Sequence, residues 1–167
     1  LFNRIPTRLS VGNTLQEGLL LTDKMNRNSV SLSINPTFFD NHLKLNVNAN
    51  FTQTNRRNAP FVVPNALKMD PTQPVYNPNS PFEGFFEFMN AGGNPSNINN
   101  FAPISVANPV AQLFQTNNRS SNERLFGNIE LDYKFHFFPS LRWVTKVGYD
   151  RDSGFSRNST SRFARTS

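Results

Sequence analysis

Residues 122–150, NERLFGNIELDYKFHFFPSLRWVTKVGYD, constrain this chain more than any other stretch. Leu125, Ile129, Leu131, Tyr133 and Phe135 occupy odd positions, with Asn128, Glu130, Asp132 and Lys134 on the even positions between them. After a break at 136–140 the pattern resumes, with Leu141, Trp143, Val147 and Tyr149 odd and Arg142, Lys146 and Asp150 even. Side chains alternate across a strand, so two period-two runs joined by a short segment predict an antiparallel hairpin with one apolar face. A turn centred on Phe138 keeps both apolar sets on that face and sets Phe135 opposite Leu141, Tyr133 opposite Trp143 and Ile129 opposite Val147.

The same period recurs upstream. Ile5, Leu9 and Val11 alternate with Arg4, Arg8 and Ser10 in a first strand, 3–12, frayed at Pro6, which cannot donate to a ladder. A connection is expected over 13–26, then a strand over 27–35 with Val30, Leu32 and Ile34 on even positions. PTFFDN at 36–41 is turn chemistry, because Asp and Asn tolerate tight-turn backbone conformations. The strand over 42–57 then places Leu43, Leu45, Val47, Ala49 and Phe51 on odd positions. That parity flip is what a two-residue Asp40-Asn41 hairpin demands, and it pairs Ile34 with Val47, Leu32 with Ala49 and Val30 with Phe51.

Residues 58–121 differ in kind. They hold nine of the 12 prolines, 12 asparagines and only five charged side chains. A connection of 64 residues inside a domain is a functional loop or a wrong assignment. Short helical turns are predicted over 64–69, with Pro near the start, and over 108–114, where Asn108 caps and Pro109 follows. Residues 151–167 are rich in Ser and Arg and are expected to open another long connection.

Short turns alternating with long connections, and strands of about 9–11 residues or more, describe an outer-membrane β-barrel. Aromatic residues Phe38, Phe39, Phe135, Phe137 and Phe138 gather at the short-turn side, where a girdle belongs. The expected fold is therefore all-β. About five antiparallel up-and-down strands, with hairpins 27–57 and 122–150, form an arc of a transmembrane barrel bearing a long, partly helical extracellular loop. Leu43, Leu45, Val47, Ile129, Leu131, Tyr133, Trp143 and Val147 are expected to face lipid. About eight strands are needed to close a barrel, so the chain reads as part of something longer.

Chemistry is sparse. His42 and His136 fall beside turns, and neither is tied to a nucleophile or a carboxylate. Glu83 and Glu87 would share a face only if the Gly84-interrupted segment between them were helical. DRDSG at 150–154 begins like a calcium loop but lacks the remaining ligands. No catalytic residue, metal ligand or cofactor is expected. There is no Cys, which removes disulfides and thiolate metal sites. The net charge of +6 comes without a Lys/Arg block or a stacking motif, so nucleic acid is not an expected partner. An anionic membrane surface fits better, and basic residues near the long-loop ends (Lys24, Arg27, Arg56, Arg57, Arg119, Arg124, Arg151) could meet lipopolysaccharide phosphates. Within the loop, aromatic faces beside amides suit a sugar. The candidate ligand residues are Tyr76, Phe82, Phe85, Phe86, Asn90 and Asn94, with Tyr76 foremost because it adds a hydroxyl.

Residues 27–54, ALKMDPTQPVYN at 66–77, NPVAQL at 108–113, RLFGNIELDY at 124–133 and VGYD at 147–150 together resemble the barrel of SusC/RagA-type TonB-linked outer-membrane transporters. The resemblance covers most of the chain. It implies a 22-stranded barrel in the bacterial outer membrane, a SusD-like surface lipoprotein as lid, and TonB-coupled import of an oligosaccharide or peptide without enzymatic chemistry. Residues 1–167 are then a partial barrel domain with its extracellular loop at 58–121 and without plug domain or TonB box. The alternative is a soluble β-sandwich or adhesin-like binding domain that transports nothing, in which the same alternation covers a protein core.

Overall fold

The computed structural model describes residues 5–94, 96–138 and 140–165. Five long strands, β1 (Thr7–Glu17), β2 (Lys24–Ile34), β4 (Leu43–Asn58), β5 (Thr116–Lys134) and β6 (Arg142–Thr160), join the two-residue β3 (Thr37–Phe38) in one sheet. The order is β1-β2-β4-β5-β6, with β3 on β4, so each long strand lies beside its chain neighbour. This is an open up-and-down antiparallel sheet with two free edges, as an arc of a barrel requires. Helix α1 (Val63–Lys68), a 3₁₀ turn (Ile98–Asn100) and helix α2 (Pro109–Gln115) fall between β4 and β5, where the two helical turns are predicted.

The residues form two compact units. The first comprises 1–16, 25–55 and 121–155, the second 17–24, 56–120 and 156–167.

In the first unit the predicted registers hold. Phe135 N–H donates to the Leu141 carbonyl at 3.2 Å, which sets these residues opposite one another. At the other turn Asp40 and Asn41 take φ of 47° and 71°, the left-handed values a two-residue hairpin needs, and Phe39 before them has φ 52°. His42 N–H closes that turn on the Phe39 carbonyl at 2.9 Å, and Phe38 pairs with Leu43. Between β4 and β5, Lys134 N–H donates to His42 O at 2.7 Å and Gln53 reaches Glu123 at 2.9 Å. Both contacts fit one antiparallel register, which sets Leu45 beside Leu131 and Val47 beside Ile129. At Gly127 β5 lies close against β4: a Cβ there would strike the Asn48 carbonyl oxygen.

Three predicted boundaries were wrong. Strand β1 continues to Glu17 instead of ending at 12, and the chain returns through the six residues Gly18–Asp23, closed by a Gly18 N–H to Asp23 O bond of 2.9 Å. Strand β6 continues to Thr160, and β5 begins at Thr116, well before 122. In all three places the apolar alternation stops while the ladder goes on. Polar side chains leave backbone pairing intact and can add to it, as Asn13 does by donating to Asn26 and Asn28 at 3.0 and 2.6 Å.

The two units bury different things. Among the described residues, the buried hydrophobic side chains Val62, Phe82, Ala111 and Leu113 all lie in the second unit. Among its described residues the first unit buries Pro36 and Asp132 alone. Its apolar alternation covers no protein core: Leu9 is 64% exposed, Ile129 51%, Trp143 56% and Val147 63%.

Candidate functional site

The second unit is built on buried polar side chains. Asn108 is 1% exposed. Its Oδ1 accepts from Val110 N–H at 3.0 Å and Ala111 N–H at 3.3 Å, capping α2, as an Asn before Pro at a helix start suggests. Its amide donates to the Val75 and Phe86 carbonyls at 2.9 and 3.0 Å, and its backbone N–H donates to Glu87 Oε1 at 2.9 Å. One side chain thus ties three loop segments together.

Glu87 also meets Arg165 at 3.2 Å, with side chains 2% and 6% exposed respectively. Arg165 donates further to Ser105 O at 2.6 Å and Ala102 O at 3.0 Å, and lies 4.6 Å over the Phe101 ring. Burial raises the Glu87 carboxyl above the usual glutamate range, against the Asn108 N–H and Arg165, which both pull it down. Glu83 is not helical, having φ 57°; it accepts from Ser161 Oγ at 2.7 Å and Gln115 Nε2 at 3.2 Å. The two glutamates anchor the 161–165 segment to the loop and form no acid/base pair. Glu87, Gln115, Gln112 and Arg165 also line a cavity of about 210 Å³.

The structure brings together part of the predicted ligand set. Tyr76 and Phe85 form an antiparallel bridge and their rings lie 5.4 Å apart. Phe85 stacks in turn on Phe114 at 6.3 Å with a 19° interplanar angle. Tyr76 is 59% and Phe114 49% exposed, so the three rings form an open ladder. Phe114 is one of the loop aromatics that the sequence offers but lies outside the six-residue candidate set; its place beside Phe85 is what joins it to Tyr76. Phe82 is fully buried at the heart of the unit. Phe86 packs edge-on to Phe88 at 5.1 Å. Asn90 donates to Phe101 O at 3.1 Å, and Asn94 Oδ1 accepts from Ser96 N–H at 2.9 Å; both are exposed.

In the first unit, the residues expected to face lipid all stand on odd positions of β4, β5 and β6. Val47, Leu125, Ile129, Val147 and Tyr149 line one shallow apolar depression over Gly127 and Gly148. The opposite side is ionic. Arg142 grips Asp132 at 2.6 Å, Lys146 stands 3.5 Å from Glu130, and Arg124 bonds Asp150 at 3.1 Å. Asp150 and Asp152 lie on strand β6, where Asp152 accepts from the Asn122 amide at 2.9 Å. At the turn end His42 and His136 stack at 4.1 Å, Tyr133 Oη lies 3.0 Å from His136 Nδ1, and Phe135 packs between Tyr133 and Phe137 at 5.1 and 5.4 Å.

No family model matches the chain. Among curated proteins it is 34% identical over 161 residues, 92% of its length, to the TonB-dependent receptor SusC of Bacteroides thetaiotaomicron. It is 24% identical over 148 residues, 89% of its length, to the TonB-dependent receptor P26 of Formosa agariphila. The chain spans 16% and 13% of those relatives' own lengths.

Proposed function

The chain belongs to the SusC-type TonB-dependent receptors of the outer membrane, and from that premise we propose that it is one side of a nutrient importer's barrel together with an extracellular loop. Residues 1–167 are a partial barrel domain, and the plug and TonB-contacting segments are assigned to the parent chain outside them. One observation carries this reading: the first unit exposes a largely apolar side, buries no hydrophobic side chain except Pro36 among its described residues, and sets ion pairs on its other side. A sandwich would cover that side with protein. Lipid covers it at no cost, and water in a lumen suits the charges.

The importer takes up an oligosaccharide, or a peptide, under a SusD-like lipoprotein lid, with uptake driven through TonB. The loop, 59–115 once the strand ends are drawn, carries the ligand and lid contacts. Within it the ladder of Tyr76, Phe85 and Phe114 offers ring faces to a sugar, and Asn90 and Asn94 offer exposed amides. Tyr76→Ala and Phe114→Ala in the full-length parent should reduce oligosaccharide uptake while the protein reaches the outer membrane in normal amount. Deleting 61–114 should abolish lid co-purification and leave a detergent-resistant barrel. Undiminished uptake in both ladder variants would remove the ladder from the site, and loss of the barrel on deletion would make the loop structural.

A further inference from the structure

A cross-strand row of cations runs through the second unit. Strand register sets Glu17 of β1 beside Lys24 of β2, and their side chains meet at 2.9 Å. β2 lies beside β4, and the register that β3 sets on β4 at that turn, Phe38 on Leu43, continued along β2 carries Lys24 to Arg57. The β4–β5 register fixed by Gln53–Glu123 and His42–Lys134 carries Arg57 to Arg119. On β5–β6, Ser159 Oγ to Asn117 O at 3.4 Å and Ser161 N–H to Gln115 O at 2.9 Å place Arg119 opposite Arg157. Four neighbouring strands thus present Lys24, Arg57, Arg119 and Arg157 side by side.

Directly opposed residues on adjacent strands have Cβ atoms about 5 Å apart, and like charges there repel. The row has one acid, Glu17, spent on Lys24 at its far end. Among the described residues none of the three arginines makes an ion pair: Arg119 Nε donates to Asn117 Oδ1 at 3.0 Å, and the buried Arg57 Nε has no partner. An anion that bridges the row offsets this repulsion. Phosphate fits best, because its oxygens accept the paired N–H groups of neighbouring guanidinium groups. Each arginine also stands on the odd side of its own strand, the side that carries Phe51 on β4, Leu125 on β5 and Val147 on β6. An anion bound there belongs to a molecule that approaches from the apolar side.

We propose that Arg57, Arg119 and Arg157, with Lys24 beside them, bind the phosphate of a phosphorylated lipid in the outer leaflet. This rests on the reading that the apolar side meets lipid. The test uses the full-length parent in detergent, with phosphorylated lipid A as probe and dephosphorylated lipid A as control, and native mass spectrometry to count bound lipid. The Arg57→Gln/Arg119→Gln/Arg157→Gln variant should bind the phosphorylated probe at least about tenfold more weakly, the wild type should discriminate against the dephosphorylated one, and added salt should erode the difference. Should the triple variant fail to assemble, Arg119→Gln alone, on the exposed side chain, should weaken binding in the same direction. Equal binding of both lipids, full binding by the variants, or displacement by millimolar inorganic phosphate would each overturn the proposal. Failure of the lipid-facing reading itself shows separately, in normal barrel insertion by Ile129→Arg.

Discussion

Ile129→Arg separates lipid contact from water contact on the apolar side. Leu125 on the odd side of β5 to Phe135 just past its end is ten steps, roughly 33 Å along an extended chain at about 3.3 Å per residue. At a barrel tilt of about 40° that is a vertical span of roughly 25 Å, the height of a barrel's apolar band. Ile129 lies near its middle and is 51% exposed, beside Val47 and Val147. In water an arginine at such a position would cost within ~0.5 kcal/mol. At a bilayer midplane it costs ~2–4 kcal/mol, or roughly a 30- to 700-fold shift in the folding equilibrium. The matched control is Asn46→Arg on the polar side, where the register brings the new charge beside Glu130. Asp132 does not serve as a control, since it already holds Arg142 at 2.6 Å. Denaturant titration of the full-length parent in phospholipid vesicles, read by the mobility shift of the folded barrel, measures both variants. Equal stability in the two would refute the lipid-facing assignment.

The loop gives two more expectations. Asn108→Ala removes a helix cap and strands the Val75 and Phe86 carbonyls, so it should cost ~2–4 kcal/mol of loop stability and speed proteolytic nicking within 58–121 without unfolding the barrel. Arg165→Ala leaves Glu87 buried and should cost ~3–5 kcal/mol by the same assay. The raised Glu87 carboxyl sets a pH dependence. An acid with a folded pKa above its unfolded value holds more protons when folded, so its stabilising effect is full below the unfolded value and is lost as pH rises through the raised one. Loop protection from hydrogen exchange, corrected for intrinsic rates, should fall across that window, and Glu87→Gln should flatten the fall.

Strand existence, parity and both hairpin registers were legible because a half-apolar sheet writes its period directly into the chain. Asn108 before Pro109 likewise marked a helix start. Strand ends were not legible. β5 and β6 run past the last apolar alternation into polar sequence, where only ladder hydrogen bonds hold them and no side-chain pattern records them. The ladder of Tyr76, Phe85 and Phe114 joins residues up to 38 positions apart, and an Asn- and Pro-rich stretch has no periodicity from which such closure could be read.

By itself the sequence determined that one side of these strands is apolar and the other charged, because alternation is a property of the backbone's two-residue repeat. Only the tertiary structure decided what each side meets. It showed that, among the described residues, the apolar side chains of the first unit stay exposed or half-exposed, and that Glu87 and Arg165 pair 78 residues apart. Each of these depends on register and packing between segments distant in the chain, so no local pattern could have announced it.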